Sequence, residues 1–171
     1  VTAVYTIDRH ERTVDDVVEE VLETDKQLKG EEIEEKPKRP KPKNKIVRAT
    51  MEGKEKAFAK LEKEVEQRDP EQEKERVALV DGERKLRELI ATCLMGFTII
   101  LDLYHVLEYL WEAAHVFYKD GSDEAECWVK ANLRLLLTGQ VSSIIANLRH
   151  EYETRRWSPS KRCALRKVIT Y

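Results

Sequence analysis

The alternation of apolar and polar residues predicts an α/β chain that becomes wholly helical in its second half. Residues 1–7, "VTAVYTI", are rich in β-branched side chains and are typical of a strand. Thr13, followed by Asp15 and Asp16, has the pattern of a helix start, with a hydroxyl cap and acids near the positive end of the dipole. Apolar residues then recur at helical spacing. The segment 1–27 is therefore predicted to be a strand and a helix of the core.

Short apolar runs flank an amphipathic segment in the middle of the chain. The runs 76–80, "RVALV", and 97–101, "FTIIL", are each predicted to be a buried strand, and 83–95 a helix between them. Strand, helix and strand joined by short connections form a βαβ unit with parallel strands and a right-handed crossover. A helix at 53–69 precedes this unit. Residues 46–102 are thus predicted to be the central βαβ region of an α/β fold.

A single aspartate follows each of these two strands. Asp81 and Asp102 are expected at the carboxyl ends of parallel strands, the edge where open α/β sheets place ligand sites. Carboxylates there can bind Mg²⁺, and two bridged ions can clamp the attacking and leaving oxygens of a phosphoryl transfer, which usually takes three acids. The alternative is that each aspartate has only a local structural role, because Asp81 begins an Asp-Gly turn and Asp102 can cap the next helix. Spacing alone leaves both interpretations open.

Two histidines of the following segment extend the candidate chemistry. His105 lies one turn after Asp102 and can hydrogen-bond the aspartate, orient a ligand or contact a phosphate. The alternative is a purely structural histidine beside the apolar face of the helix. Glu112 and His115 have the spacing of a di-metal motif of helical bundles, but no second copy of that motif occurs in the sequence. A di-metal helical protein is therefore the less favoured interpretation.

After Asp102 the pattern is helical as far as Tyr171. Ser122 is predicted to cap the second helix of this region. Ser158 and Pro159 mark the start of a fourth helix, because proline suits the first helical position. Residues 103–171 are accordingly predicted to form a mostly α-helical C-terminal region.

The segment 28–45 differs from the rest because an acidic block meets a basic block punctuated by prolines. Helix cannot run through these prolines, and little here can fill a core, so an extended, exposed loop is predicted, followed by a short strand at 45–51. Its cations can lie along a phosphate backbone, or the segment can be a solvated linker. The candidate DNA-binding residues are Lys36, Lys38, Arg39, Lys41 and Lys43.

The amino-acid composition excludes few classes of function. The 171 residues carry a net charge of −2, which gives no overall support to a nucleic-acid partner. Three widely spaced cysteines form no CxxC pair, which predicts reduced, buried thiols in a cytosolic protein rather than zinc ligands or disulfides. The longest apolar run is interrupted by ionisable residues and is too short for a membrane span.

Two sequence strings are more specific than any of these patterns. They are "LVDGERKL", around Asp81, and "IILDLYHVLEYLWEAAHVFY", which contains Asp102 and His105. Together they strongly resemble the ISKra-type branch of insertion-sequence DDE transposases, which is related to the Mutator group. The Asp-x-x-His-x-x-Glu-Tyr-Leu-Trp string, Asp102 to Trp111, is the most specific part, and the likeness runs through the whole chain.

The resemblance implies a partial RNase H-like core: the βαβ unit plus the N-terminal strand, followed by an all-α insertion. Asp81 matches the second catalytic acid and a ligand of Mg²⁺ or Mn²⁺. Asp102 and His105 match the family's [Cys/Asp]-x-x-His signature and are expected to support the site. The first acid is expected on a strand before Val1, and the third on a helix beyond Tyr171, so that the chain is a central fragment.

By the same resemblance, the partners are transposon-end and target DNA, and the complete protein acts as a homo-oligomer in the bacterial cytoplasm, associated with the nucleoid. With one core acid of three, the chain is expected to be catalytically inactive by itself. The alternative is a non-enzymatic helical module, for DNA binding or for protein interaction, derived from a transposase gene.

Overall fold

The structure is a computed structural model that describes residues 1–28 and 39–171, with the side chains of 23–28 left undescribed. Within these ranges the protein is a mixed α/β fold, mostly helical, with seven helices and two small sheets. The strands are β1 (Thr2–Thr6), β2 (Lys43–Arg48), β3 (Val77–Val80) and β4 (Thr98–Leu101). The helices are α1 (Val14–Leu28), α2 (Lys54–Arg68), α3 (Arg84–Cys93), α4 (Leu103–Phe117), α5 (Asp123–Leu137), α6 (Val141–Thr154) and α7 (Pro159–Thr170).

The chain divides into two compact units. The described residues of the first unit are 1–11 and 39–102, and those of the second are 12–28 and 103–171. This division differs from the predicted one at α1, which was assigned with β1 to the core. The buried face of α1 instead packs with α4 and α5, because its valines and Leu22 complete their apolar cluster.

The first unit holds both sheets. β1 pairs with β2 in antiparallel register, Thr2 opposite Arg48, with an irregularity between Val4 and Thr6. β3 pairs with β4 in parallel register from Val77 opposite Thr98 onward. The helix α3 connects these two strands, so the predicted parallel strand–helix–strand unit is confirmed.

One layer of two helices carries both sheets of the first unit. α2 packs against β1 and against α3, and α3 packs against β3. The buried centre of this layer consists of Phe58, Leu89, Ile90 and Leu94. Ala78 and Val80 of β3 and the apolar face of α2 pack around this centre, so the period-two alternation of the strand fixes which of its faces meets the helices.

The prediction that both strands of the parallel sheet are buried was wrong. Leu79 is 61% exposed and Val77 46%, and every residue of β4 is exposed. A parallel sheet is normally covered on both faces, whereas α2 and α3 cover only the face that carries Ala78 and Val80. These strands therefore carry more apolar side chains than the described residues bury.

A buried ion pair fixes the connection from α2 to β3. Asp69 follows α2, and its carboxylate accepts hydrogen bonds from Arg76 Nε at 2.9 Å and from the backbone N–H groups of Glu73 and Lys74. Arg76 Nη2 also donates to the Asp69 carbonyl at 2.7 Å. Desolvation opposes ionisation of Asp69, but these donors together hold the pKa of its carboxyl group below the usual value.

This pair predicts an acid-sensitive contribution to stability. Because the folded-state pKa of Asp69 is lowered, its contribution is present above the unfolded-state pKa of ~3.9 and is lost as pH falls through the folded-state pKa. Asp69→Asn is therefore expected to lower the melting temperature by several degrees at pH 7, with a difference from wild type that shrinks below pH ~4. Circular dichroism melts across this pH range measure it.

The control for this experiment is Asp8→Asn. The Asp8 carboxylate pairs with Lys43 at 2.7 Å, but both side chains are more than half exposed, so the variant is expected to melt within about 1 °C of wild type. Equal destabilisation by the two substitutions, or a difference at Asp69 that does not change with pH, would contradict the role given to the buried pair.

The second unit is an assembly of five helices with two apolar clusters. The first joins α1, α4 and α5 around the fully buried Val18, Val129 and Leu133. The second joins α4, α5, α6 and α7 around Ala113 and the fully buried Leu165. Across the described ranges, none of the helices has the length and apolar character that a bilayer crossing requires.

The predicted helix starts of the second unit are confirmed by their caps. Thr13 Oγ1 accepts from the backbone N–H of Asp16 at 3.1 Å, and Asp16 in turn accepts from the N–H of Thr13 at 2.8 Å. Ser122 Oγ accepts from Ala125 N–H at 3.3 Å, and Ser158 Oγ accepts from Lys161 N–H at 3.4 Å. Each cap satisfies a backbone donor that has no partner within its helix.

The prediction of buried cysteines was wrong for two of the three. Cys127 and Cys163 are exposed, and Cys93 is half-buried. Cys127 and Cys163 lie on the solvent side of α5 and α7, because the buried face of each helix is taken by other residues, such as Val129 and Leu165. All three are free thiols.

Candidate functional site

The two aspartates that the sequence singles out lie at the same edge of the parallel sheet. Val80 and Leu101 are register partners at the carboxyl ends of β3 and β4, and each is followed directly by an aspartate. The backbone N–H of Asp102 donates to the Val80 carbonyl at 2.7 Å, so the pairing continues past the last residue of β4. The predicted placement of Asp81 and Asp102 is therefore confirmed, since both follow from the parallel register.

Asp81 also has the local role that its Asp-Gly sequence predicts. Its Oδ1 accepts a hydrogen bond from the backbone N–H of Glu83 at 3.0 Å, and Gly82 has a φ of 89°. This φ lies in the left-handed region, which glycine adopts without steric cost. The turn leads directly into α3. A carboxylate has about four lone-pair sites, so the turn bond and metal coordination are compatible roles for Asp81.

The charges around Asp81 are organised by ion pairs between α2 and α3. Glu83 pairs with Lys54, and Lys85 pairs with Glu55 at 3.3 Å. The first pair occupies Glu83, the acid nearest in sequence to Asp81, and in the second the backbone N–H of Glu55 itself and then Lys85 lower the pKa of Glu55. The carboxylate of Glu83 is thereby directed toward a lysine.

The strand edge was predicted to hold Mg²⁺. In the described part of the chain, no group of three or more His, Cys, Asp or Glu side chains is placed to hold a metal ion. Asp81 and Asp102 are the two carboxylates at the edge, and Mg²⁺ in proteins takes one or two carboxylates together with water and phosphate oxygens. Two carboxylates are of the chemical type that one such ion takes, whereas two-metal catalysis usually takes three acids, and a metal at this edge stays a prediction.

Asp102 and His105 differ in their surroundings. Asp102 is half-buried, directly before α4, and His105 is the third residue of that helix. The contacts recorded for His105 lie within the second unit: its Nδ1 is 3.3 Å from Glu108 Oε2, and its ring meets the edges of Tyr109 and Tyr171 at centroid distances of 5.3 and 5.5 Å. His105 thus belongs to an aromatic cluster of the second unit, and its predicted support of the site stays a prediction.

Glu112 and His115 contact different partners. Glu112 Oε2 is 2.6 Å from Lys167 Nζ on α7, and this hydrogen bond raises the pKa of Lys167. His115 Nε2 is 3.1 Å from Asp120 Oδ1. A di-metal site needs both side chains and their counterparts around one ion, and nothing among the described residues supports it.

The candidate cations of the charged loop are only partly described. Arg39, Lys41 and Lys43 are exposed. Lys43 is the first residue of β2 rather than a loop residue, and it pairs with Asp8. Lys36 and Lys38 lie outside the described residues. A contact of this segment with DNA stays a prediction.

Sequence reasoning missed a cluster of cations and aromatic rings at the turn between α6 and α7. Arg155 and Lys161 lie 6.0 and 5.9 Å from the centre of the Trp157 ring, and the guanidinium of Arg162 lies 4.4 Å from that of Tyr152. One signal in the sequence was available: residues 154–171 contain six Lys and Arg and no acid.

Comparisons with protein families, with curated proteins and with solved structures give no match for this chain. The support for a function therefore comes from the residues themselves and from the two strings around Asp81 and Asp102.

Proposed function

We propose that the chain is part of the RNase H-like catalytic core of a DDE transposase, with Asp81 as the second catalytic acid. The observation that carries the proposal is that Asp81 and Asp102 follow paired positions at the carboxyl edge of a parallel sheet. This edge is where α/β folds place their ligands. The string from Asp102 to Trp111 gives the edge its resemblance to this family.

The proposed reaction is hydrolysis of a phosphodiester at the end of a mobile element, followed by attack of the freed 3′-hydroxyl on target DNA. When bound, Mg²⁺ or Mn²⁺ supplies Lewis acidity at the attacking and leaving oxygens. Asp81 contributes a ligating carboxylate that its turn bond to Glu83 holds in place. By the resemblance, Asp102 and His105 are supporting residues. The backbone N–H of Asp102 donates a hydrogen bond to β3.

The arrangement of the two sheets supports an incomplete core. β1 packs on α2 and β3 packs on α3, and these two helices pack against each other, yet the strands belong to separate two-stranded sheets. In the proposed fold, one further strand pairs with β1 and with β3 and joins the two sheets into a single five-stranded sheet. In the proposed fold that strand carries the first catalytic acid and is supplied from outside these 171 residues, as is the helix with the third acid.

The second candidate is a non-enzymatic helical module derived from such a gene, which binds DNA or another protein. This candidate is favoured because the described residues supply only two carboxylates at the strand edge. In the transposase proposal, the partners are transposon-end and target DNA, and the complete protein is a homo-oligomer associated with the bacterial nucleoid.

The test uses the product of the uninterrupted reading frame around this chain. We expect that frame to encode an upstream strand ending in Asp and a downstream helix carrying Glu. Its product is expected to cleave and join DNA from the ends of the element with Mg²⁺ or Mn²⁺ but not with EDTA, whereas the 171-residue chain alone does neither. Gel assays with end-labelled DNA measure both steps. Stop codons on both sides, or a full-frame product that binds DNA without cutting it, would favour the helical module.

A further inference from the structure

The C-terminal part of the second unit has an extreme local charge. Residues 154–171 contain six Lys and Arg and no Asp or Glu, although the whole chain has a net charge of −2. Two of the six are paired within the fold, Arg155 with Glu151 at 2.7 Å and Lys167 with Glu112 at 2.6 Å, which reduces the repulsion within this segment. The distribution of these cations in space therefore decides whether they form a surface.

The turn between α6 and α7 gathers cations from both sides around one ring. Trp157 is held by a hydrogen bond from its Nε1 to the Glu151 carbonyl at 2.9 Å. Arg155, before the ring in sequence, and Lys161, after it, lie 6.0 and 5.9 Å from its centre. Lys161 Nζ also donates to the Val116 carbonyl at 2.6 Å, which fixes its position. The charges are thus held close together by the fold.

Arg162 extends this cluster across the two helices. Its Nε donates to the Tyr152 hydroxyl at 3.0 Å, and its guanidinium lies over the Tyr152 ring. Arg149 is one turn before Tyr152 on α6, and Arg166 is one turn after Arg162 on α7, so each is a neighbour of this pair on the same helix face. Both are exposed, as are Arg162 and Arg156.

The charges in the first turn of α7 also have the sign that destabilises an isolated helix. Its first turn contains no acid and carries Lys161 and Arg162, where the positive end of the helix dipole disfavours cations. The first turn of α5, by contrast, has three acids. The contacts of Lys161 with the Val116 carbonyl and of Arg162 with the Tyr152 hydroxyl hold these cations in place, so the fold offsets part of this cost to the helix.

We propose that these residues bind the phosphate backbone of duplex DNA. The surface, called the α6–α7 basic surface, consists of Arg149, Arg155, Arg156, Lys161, Arg162 and Arg166. Arginine suits this partner because its planar guanidinium can bind a phosphate through two hydrogen bonds. Contacts of this kind position the duplex without reading its sequence.

An anionic membrane is a less suitable partner for the same charges. Helices that lie in a membrane interface bury an apolar face in the lipid, whereas the apolar face of α7 is used within the protein: Leu165 is fully buried, and Ala164, Val168 and Ile169 pack in the same cluster. The choice of DNA among polyanions rests on the proposed function, but the existence of the surface does not.

The test compares duplex binding by the wild-type chain and by Arg156→Gln/Arg162→Gln/Arg166→Gln. Fluorescence anisotropy with a labelled duplex of arbitrary sequence, from ~50 to ~200 mM salt, gives the affinity and its salt dependence. The triple variant is expected to bind more than about tenfold more weakly, with a salt slope lower by about two to three. Because Arg162 contacts Tyr152, the double variant Arg156→Glu/Arg166→Glu, which leaves that contact intact, provides a second measurement with the same expectation.

The matched control is Lys63→Gln/Arg87→Gln/Lys119→Gln, which removes the same charge from exposed positions elsewhere and is expected to change affinity less than about threefold. Equal losses in variant and control, undiminished binding by both variants of the surface, or binding to anionic vesicles in place of DNA would overturn the inference. Binding needs no catalysis, so loss of affinity in the variants, together with no DNA cleavage by the product of the complete reading frame, would contradict only the proposed function. Cleavage by that product, together with unchanged affinity of the variants, would contradict only this inference.

Discussion

Asp81→Asn in the product of the complete reading frame is expected to reduce Mg²⁺-dependent DNA cleavage by about three orders of magnitude or more, since a metal-held transition state loses several kcal/mol. Asparagine is close in shape to aspartate and keeps an oxygen that can accept the hydrogen bond from the Glu83 N–H. The substitution therefore removes the charge that a divalent cation needs while it leaves the turn before α3 in place. Initial rates of nicking of a labelled DNA end measure the effect.

This property of asparagine separates the two roles of Asp81. If the carboxylate served only the turn, Asp81→Asn would cleave at nearly the wild-type rate, and only Asp81→Ala, which removes the acceptor, would disturb the protein. A rate for Asp81→Asn within about tenfold of wild type, with an unchanged melting temperature, would therefore sink the metal role.

Asp8→Asn is the matched control for the cleavage assay. Asp8 also follows a strand, but its carboxylate is exposed and pairs with Lys43. The change of charge is the same, and the cleavage rate is expected to stay within about twofold of wild type, because an exposed ion pair contributes little.

The features that the sequence predicted well are those that neighbouring residues decide. Ser122 and Ser158 cap helices because a side-chain oxygen reaches a backbone donor three residues away. The parallel pairing of β3 and β4 follows from one short helix between two short strands. The shared edge of Asp81 and Asp102 follows from that topology in turn, without knowledge of any side-chain contact.

The features that the sequence did not predict depend on distant packing. Apolar composition indicates that Leu79 prefers to be buried, but not whether another element covers its face. The apolar stripe of α1 likewise specifies a buried face but not its partner, and α5, about a hundred residues later, provides it. The α6–α7 basic surface was missed for a related reason, because its cations lie on both sides of a turn and meet through Trp157 and Tyr152.

Leu133→Ala is expected to destabilise the second unit by about 2–5 kcal/mol, through lost burial and the cavity that remains. Leu133 is fully buried on α5, in the cluster that α1, α4 and α5 form. Leu137→Ala, on the same helix, is the control: its side chain is only partly buried at the margin of that cluster, so about half the loss is expected. Urea denaturation followed by circular dichroism measures both variants.

The same experiment tests the position of α1, which the sequence assigned to the core strands. Val18 on α1 is fully buried in the cluster that contains Leu133. A cavity at one of these positions changes the packing at the other, so Val18→Ala and Leu133→Ala are expected to be non-additive, with a coupling of about 0.5 kcal/mol or more. If the free-energy losses of the two single variants simply added up in the double variant, α1 would not pack against α5 at these positions. A loss below about 1 kcal/mol for Leu133→Ala would contradict the burial on which both expectations depend.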